Sequence, residues 1–416
     1  MHAPMQEGFY PELQRMLSTG WRDAVNGADA GEARRALGKR RLDEADFAVL
    51  LSPAAEPFLE DMARRSQAET LRNFGRGIQL FTPLYLANYC TNRCVYCGFS
   101  ARRDIRRRQL SLEEVEAEAR AIAATGLRKI LALTGDAPKR TGAPYLAQCL
   151  RVLARHFSSV AIEVPSMTVE EYALQVEAGA DGMTMFQETY NKERYRELHP
   201  GGPKADFHFR LDAPERALLG GMRSVNLGPL LGVADWREDV MAVAAHARFL
   251  MRKYPQAEVS ISLPRMRPHT EGGEVAFHPD AVDDFHFVQI LTALRCYLPQ
   301  CGITLSTREP AALRDRIIPL GVTRVSAGVN TAVGGHTDEA AKKRAAAAPE
   351  ERDKPQFDIS DERSVDEMAA ALHGLGFQPV FADWLLPGKG EAALNPSIAT
   401  ALGAPGALDE PLGGAA

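Results

Sequence analysis

Cys90, Cys94 and Cys97 stand in the spacing Cys-x3-Cys-x2-Cys. Thiolates are the ligands that iron–sulfur clusters require, and three of them can hold three irons of a [4Fe-4S] cubane. With no fourth cysteine nearby, one iron keeps an open coordination position, which is a catalytic feature. A zinc ion completed by a distant histidine, or three buried thiols, would be the alternatives, but the spacing differs from the paired Cys-x2-Cys units of most zinc domains. Cys149, Cys296 and Cys301 are scattered along the chain and read as buried apolar fillers.

Other residues able to do chemistry sit where β-rich runs end. Gly135 and Asp136 follow one such run, Glu188 closes another, and Ser306 with Arg308 closes a third, with Ser326 and Arg210 in comparable company. A carboxylate can accept hydrogen bonds from two hydroxyls, and a guanidinium offers a planar fork that suits a carboxylate. A surface charge or an internal ion pair is the plainer reading for Glu188 and Arg210, and a rim pair with Glu309 or a neighbour is the plainer one for Arg308.

The elements that must position these residues are short β-rich runs at 78–86, 129–134, 160–164, 182–186, 223–227, 258–263, 303–306 and 324–329. Most are separated by helical patterns such as 112–125, 168–178 and 236–253. Alternation of this kind predicts a parallel sheet, and eight units predict a closed (β/α)8 barrel, whose functional groups lie at the C-terminal strand ends. No Gly-x-Gly-x-x-Gly follows the first run, which argues against a dinucleotide-binding open sheet. Ser111 with Glu114 forms a capping-box pattern, and Gly126 and Gly179 fall where helices should end. Ahead of the barrel, 37–51 and 57–74 read as amphipathic helices broken at Ser52-Pro53. The expected organisation is an N-terminal helical extension over 1–76, the barrel over 77–335, a C-terminal helical region over 336–386 and a disordered tail over 387–416.

The 416-residue chain is 45% hydrophobic and 25% charged, and no apolar run approaches membrane-spanning length. A net charge of −5 spread over 49 basic and 54 acidic residues gives no footprint for nucleic acid. The basic run 102–108 reads as a solvated segment. Neither a secretory signal nor a transit peptide is recognisable at the N-terminus, so a cytoplasmic location is expected.

The cysteine loop, with Tyr96 before its last cysteine and Gly98-Phe99 after it, resembles the radical S-adenosylmethionine (SAM) superfamily. Leu133-Thr134-Gly135-Asp136, Phe186-Gln187-Glu188-Thr189-Tyr190, Ser306-Thr307-Arg308-Glu309, Ser326-Ala327-Gly328 and Phe357-Asp358-Ile359-Ser360 resemble, more narrowly, the ThiH-type tyrosine lyases, the 2-iminoacetate synthases of thiamin biosynthesis. The resemblance runs from about 56 to 384. It implies a [4Fe-4S] cluster on Cys90, Cys94 and Cys97, with SAM held by Tyr96, Gly135, Asp136, Glu188 and Arg210; relatives usually carry Glu where Asp136 stands, an arm one methylene longer. It further implies that Ser306, Arg308 and Ser326 serve free L-tyrosine. The implied partners are a one-electron reductant such as flavodoxin or ferredoxin and the thiazole synthase subunit ThiG. A hydrogenase-maturation relative would carry a second cluster on C-terminal cysteines, and none follows Cys301. A deazaflavin-type synthase and a non-catalytic iron–sulfur protein remain the rival readings.

Overall fold

The structure is a computed structural model, and it describes residues 5, 7–266, 281–337 and 356–382. Eight parallel strands form its centre: β1 (Gly77–Ala87), β2 (Lys129–Thr134), β3 (Ser159–Glu163), β4 (Gly182–Glu188), β5 (Ser224–Pro229), β6 (Glu258–Ser262), β7 (Gly302–Leu305) and β8 (Arg324–Ser326). Each pairs with the next, and β1 pairs with both β2 and β8, so the sheet closes into a barrel. A ninth strand, β9 (Gln378–Val380), lies parallel to the start of β1 and was not anticipated from the sequence. Its three residues include a proline and carry almost no β pattern.

Side-chain chemistry sets the helix limits. Ser111, Thr168 and Ser364 each close a capping box with a glutamate three residues on, opening Leu112–Ala124, Val169–Glu177 and Val365–Gly374. Gly126 and Gly179 take φ of +89° and +110° just past two of these helices, a backbone state that costs a Cβ-bearing residue energy. Outer strand faces and inner helix faces share one large apolar core.

The N-terminal segment departs from expectation. The stretch 37–51 is not one helix: Ala30–Gly38 ends, and Glu44–Leu50 begins behind Asp43, whose side chain and that of Asp46 cap each other reciprocally. Lys39 Nζ donates to Asp46 Oδ1 at 2.6 Å across the gap and fixes the turn. Leu59–Phe74 packs on the barrel helices Asp284–Tyr297 and Ala311–Gly321. Buried Gln289 donates to the carbonyls of Leu50 and Ser52, tying the extension down. Among the described residues, no helix is long and apolar enough to cross a membrane.

Apolar layers usually fill such a barrel, but this interior is partly hollow, and its mainly apolar wall carries several polar groups. A cavity of ≈ 120 Å³ runs among Lys129, Thr184, Asn226, Ser262, Thr304 and Arg324. Asn226 donates to Ser262 Oγ at 2.8 Å, Ser260 Oγ donates to Asn226 Oδ1 at 2.9 Å, and Arg324 donates to Ser260 and pairs with Glu258. Above the strand ends, 356–364 crosses the mouth as a strap. Its Ser360 and Asp361 amides donate to Thr307 O, and the Gly328 amide donates to Arg363 O. Asp361 pairs with Arg314 in full burial and with Arg363, which also reaches Asp315. Residues 338–355 and the expected disordered tail 387–416 lie outside the described residues.

Candidate active site

The chain from Asn88 to Ser100 leaves β1 without regular structure and is held by its neighbours. Thr91 donates its amide to Asp136 O, Arg93 to Gly201 O and Val95 to Leu198 O. Arg107 completes the clamp: its two terminal nitrogens donate to the carbonyls of Asn88, Phe99, Ser100 and Arg103 at 2.7 to 3.1 Å. Arg108 donates to Val333 O and pairs with Glu114. The basic run is therefore not simply solvated: Arg102 and Arg106 are exposed, while Arg107 and Arg108 turn inward, because an irregular loop leaves carbonyls that need donors.

Cys90, Cys94 and Cys97 line one cavity of ≈ 140 Å³ together with Tyr96, Gly135, Asp136, Glu188 and Arg210. Cys94 is buried and the other two are half-buried. Burial pushes the Cys94 thiol up to about 12 and raises Cys90 as well, so in the absence of metal both stay protonated. The Cys97 sulfur faces two N–H donors, Phe99 N at 3.4 Å and Gln356 Nε2 at 3.9 Å. Among the described residues no three His, Cys, Asp or Glu side chains close on a single-ion position. Three thiols ringing an open cavity suit a larger, multi-iron group.

Each polar residue around the cavity has a defined state. Asn92 Nδ2 donates to Asp136 Oδ2 at 2.8 Å, whereas Asp136 Oδ1 is buried and has no partner. The backbone carbonyl of Asp136 already accepts both the amide and the hydroxyl of Thr91, which fills its lone pairs. The free acceptor here is thus the side chain. Gly135 must be glycine, because a Cβ would stand 2.3 Å from Tyr89 O.

Glu188 is the one described non-glycine residue with positive φ, +69°. Such strain persists where surroundings enforce it, and it clusters at functional sites. Lys204 Nζ lies 2.6 Å from Glu188 Oε1, and Arg210 Nη2 lies 3.8 Å from it. Burial pushes this carboxyl up, but Lys204 and Arg210 outweigh it and hold Glu188 below the ordinary range. Arg210 is oriented by donating Nε to Phe186 O at 2.8 Å. Tyr96 donates its hydroxyl to His199 Nε2 at 2.8 Å; His199 Nδ1 donates to Tyr195 O, which fixes the tautomer. Burial, followed by the charge of Lys204, holds His199 well below its usual range and therefore neutral.

Ser306, Arg308 and Ser326 all line the barrel-interior cavity, and of the three only Arg308 also lines the cysteine cavity. Glu309, one of the partners expected for Arg308, pairs with buried Arg265. Arg308 instead lies over the Phe357 ring, 3.6 Å from its centroid. Ser306 Oγ accepts the Arg308 amide, and Ser326 Oγ accepts the Thr307 amide, so both hydroxyls also shape the β7 turn.

Sequence reasoning missed Lys204, His199, Glu163 and the strap residues Gln356 and Phe357. Glu163 ends β3, so the strand-end rule that picked out Glu188 would have found it. Lys204 lies in a single 3-10 turn, Pro203–Ala205, and carried no signal.

Comparison with known proteins adds a second line. Residues 84–244 match the Radical SAM superfamily, and 262–378 match the Biotin and Thiamin Synthesis associated domain. The 2-iminoacetate synthase of Escherichia coli is 38% identical over 361 residues, 86% of this chain and 92% of that protein. The 3-methylornithine synthase of Methanosarcina acetivorans is 24% identical over 343 residues, 82% of this chain and 91% of that one. Among solved structures, the FeFe-hydrogenase maturase HydG from Carboxydothermus hydrogenoformans superposes with a TM-score of 0.79 at 29% identity, covering 90% of this chain and 84% of its own.

Proposed function

Because the chain belongs to the 2-iminoacetate synthase family of radical SAM enzymes, we propose that it cleaves the Cα–Cβ bond of L-tyrosine, giving 2-iminoacetate for the thiazole of thiamin and p-cresol. It is a carbon–carbon lyase working with a [4Fe-4S] cluster and SAM. Bound at this site, the cluster and SAM would together supply one-electron reductive chemistry and, from it, a 5′-deoxyadenosyl radical able to take a hydrogen atom.

The chain's residues fit both groups. Cys90, Cys94 and Cys97 would hold three irons and leave the fourth for the amino and carboxylate groups of SAM. Asp136 Oδ1, buried and unpartnered, suits the SAM amino group, which answers the shorter arm of aspartate with an acceptor already in place. Glu188 would accept from the ribose hydroxyls and Arg210 would fork onto the SAM carboxylate. Tyr96 and the Gly135 backbone wall the same cavity.

The observation that carries the substrate reading is the position of Arg308, a cation lining both cavities at their seam. Its fork would seize the tyrosine carboxylate, with the hydroxyls of Ser306 and Ser326 beside it, and so fix the amino nitrogen toward the cofactor cavity. A reductant such as flavodoxin or ferredoxin, delivery of the labile imine to the thiazole synthase subunit ThiG, and a cytoplasmic setting complete the reading. The test is anaerobic reconstitution with iron, sulfide, SAM, tyrosine and a reductant, with p-cresol and glyoxylate, the hydrolysis product of 2-iminoacetate, measured together. SAM cleavage without p-cresol would remove tyrosine lysis from consideration.

A further inference from the structure

The cysteine cavity and the barrel-interior cavity share six lining residues: Glu163, Thr184, Phe186, Pro264, Arg308 and Phe357. Two of these carry charge, of opposite sign, and the others offer two aromatic rings, a proline and a hydroxyl. The other acids nearby each have a partner on at least one oxygen: Glu188 has Lys204, Asp136 has Asn92 on Oδ2, Glu309 has Arg265 and Asp361 has Arg314. Glu163 is the exception. It is half-buried at the end of β3, faces both cavities, and makes no side-chain hydrogen bond or ion pair with another described residue. A carboxylate kept out of every internal pair, while sharing a seam with a guanidinium, matches the head of an α-amino acid, which carries one charge of each sign.

We propose that Glu163 binds the α-amino group of the substrate and accepts one proton from its ammonium form. The inference rests on the amino-acid lyase reading above and extends it to the nitrogen end of the substrate. An ammonium nitrogen has no lone pair to delocalise an unpaired electron, so it must become a neutral amine before it can yield a hydrogen atom. The transfer is balanced: one N–H bond breaks, one carboxylic O–H bond forms, the opposite charges cancel and no electron moves. Burial, with the Glu188 charge, pushes the Glu163 carboxyl up to about 7 against Arg308, Arg210 and Lys204, and a base near neutrality takes such a proton more readily than an ordinary carboxylate. Tyr85, across the interior cavity, donates its hydroxyl to Gln356 and does not compete for the site.

The experiment uses the reconstituted holoenzyme and two probes that differ only in the amine, tyrosine and 3-(4-hydroxyphenyl)propanoate. Wild type should bind tyrosine more tightly by roughly 10- to 100-fold, the worth of one charged hydrogen bond, and Glu163→Ala should bring the two probes together. Glu163→Gln, equal in shape and still able to accept a hydrogen bond but unable to take a proton, should keep KM for tyrosine near wild type and lower kcat by about 100-fold or more. Iron content and SAM affinity should stay at wild-type values in both variants. Retention of the full preference for tyrosine in Glu163→Ala, or wild-type kcat in Glu163→Gln, would overturn the assignment. Absence of p-cresol from wild type would instead strike the lyase reading, while the ratio of the two affinities would still report on Glu163.

Discussion

Replacing Arg308 with alanine removes the cation from above the Phe357 ring and, on the proposed reading, frees the substrate carboxylate. Arg308 lines both cavities, so the change should be read in substrate turnover more than in cluster content. A hydrogen bond to a charged group is worth about 1.5–3 kcal/mol, and each 1.4 kcal/mol is tenfold, so losing one lowers kcat/KM for tyrosine by roughly 10- to 150-fold. A fork delivers two such bonds, which places this range at the lower bound. Arg308→Lys keeps the charge without the fork and should fall between. A second effect arises through Glu163. Arg308 is one of three cations restraining that carboxyl, so its removal raises Glu163 further above about 7. A base must be deprotonated to act, and its activity limb rises with pH; the acidic limb of the residual activity should therefore move to higher pH. The assay tracks p-cresol and 5′-deoxyadenosine together over a range of tyrosine concentrations: SAM cleavage should persist while cresol falls. Retention of wild-type kcat/KM for tyrosine in Arg308→Ala would show that the carboxylate is held elsewhere.

Cys94→Ala should abolish cluster assembly and SAM cleavage, measured as iron content and 5′-deoxyadenosine, whereas Cys301→Ala, deep in the core, should retain about four irons per chain. Lys204→Met leaves Glu188 buried with Arg210 at 3.8 Å, so the Glu188 carboxyl should rise and SAM should bind more weakly by roughly tenfold or more, with iron content unchanged; titration calorimetry decides it. Asp361→Asn should cost about 3–5 kcal/mol of unfolding free energy, because Arg314 loses its buried partner. Burial raises the Asp361 carboxyl, but Arg363 and Arg314 together hold it below 3.8 in the fold, so this stabilisation is present above pH 3.8 and is lost as pH falls through the folded value. Thermal melts of wild type and Asp361→Asn should accordingly converge in acid, and a constant gap between them would contradict the pairing.

The barrel was legible because its strands are bounded by helix signals that act locally. Ser111 and Thr168 cap their own helices whatever the rest of the chain does, and β2 runs from Lys129 to Thr134, as its β-rich pattern predicts. The features that escaped depend on partners distant in sequence. Arg107 looked like one of several surface arginines until an irregular loop presented it with four carbonyls. Lys204 matters only because Glu188, sixteen residues earlier, bends back through an unusual φ to meet it. The apparent helix over 37–51 failed for a local reason that hydrophobic spacing conceals: Asp43 and Asp46 satisfy each other's orphan amides and make a fresh helix start more favourable than continuation.

The strap across the mouth bears on the order in which this protein can be assembled. Gln356, which meets Cys97, lies 259 residues after it in the chain, and Phe357, which roofs Arg308, comes next. During synthesis the cysteines, β1 to β8 and the hollow interior are all made before the segment that crosses the opening. A chain halted after β8 would possess every cysteine and strand of the barrel yet lack the Phe357 ring against Arg308. The buried Arg314–Asp361 pair, which ties the strap to the barrel, is accordingly among the last contacts that the growing chain can complete.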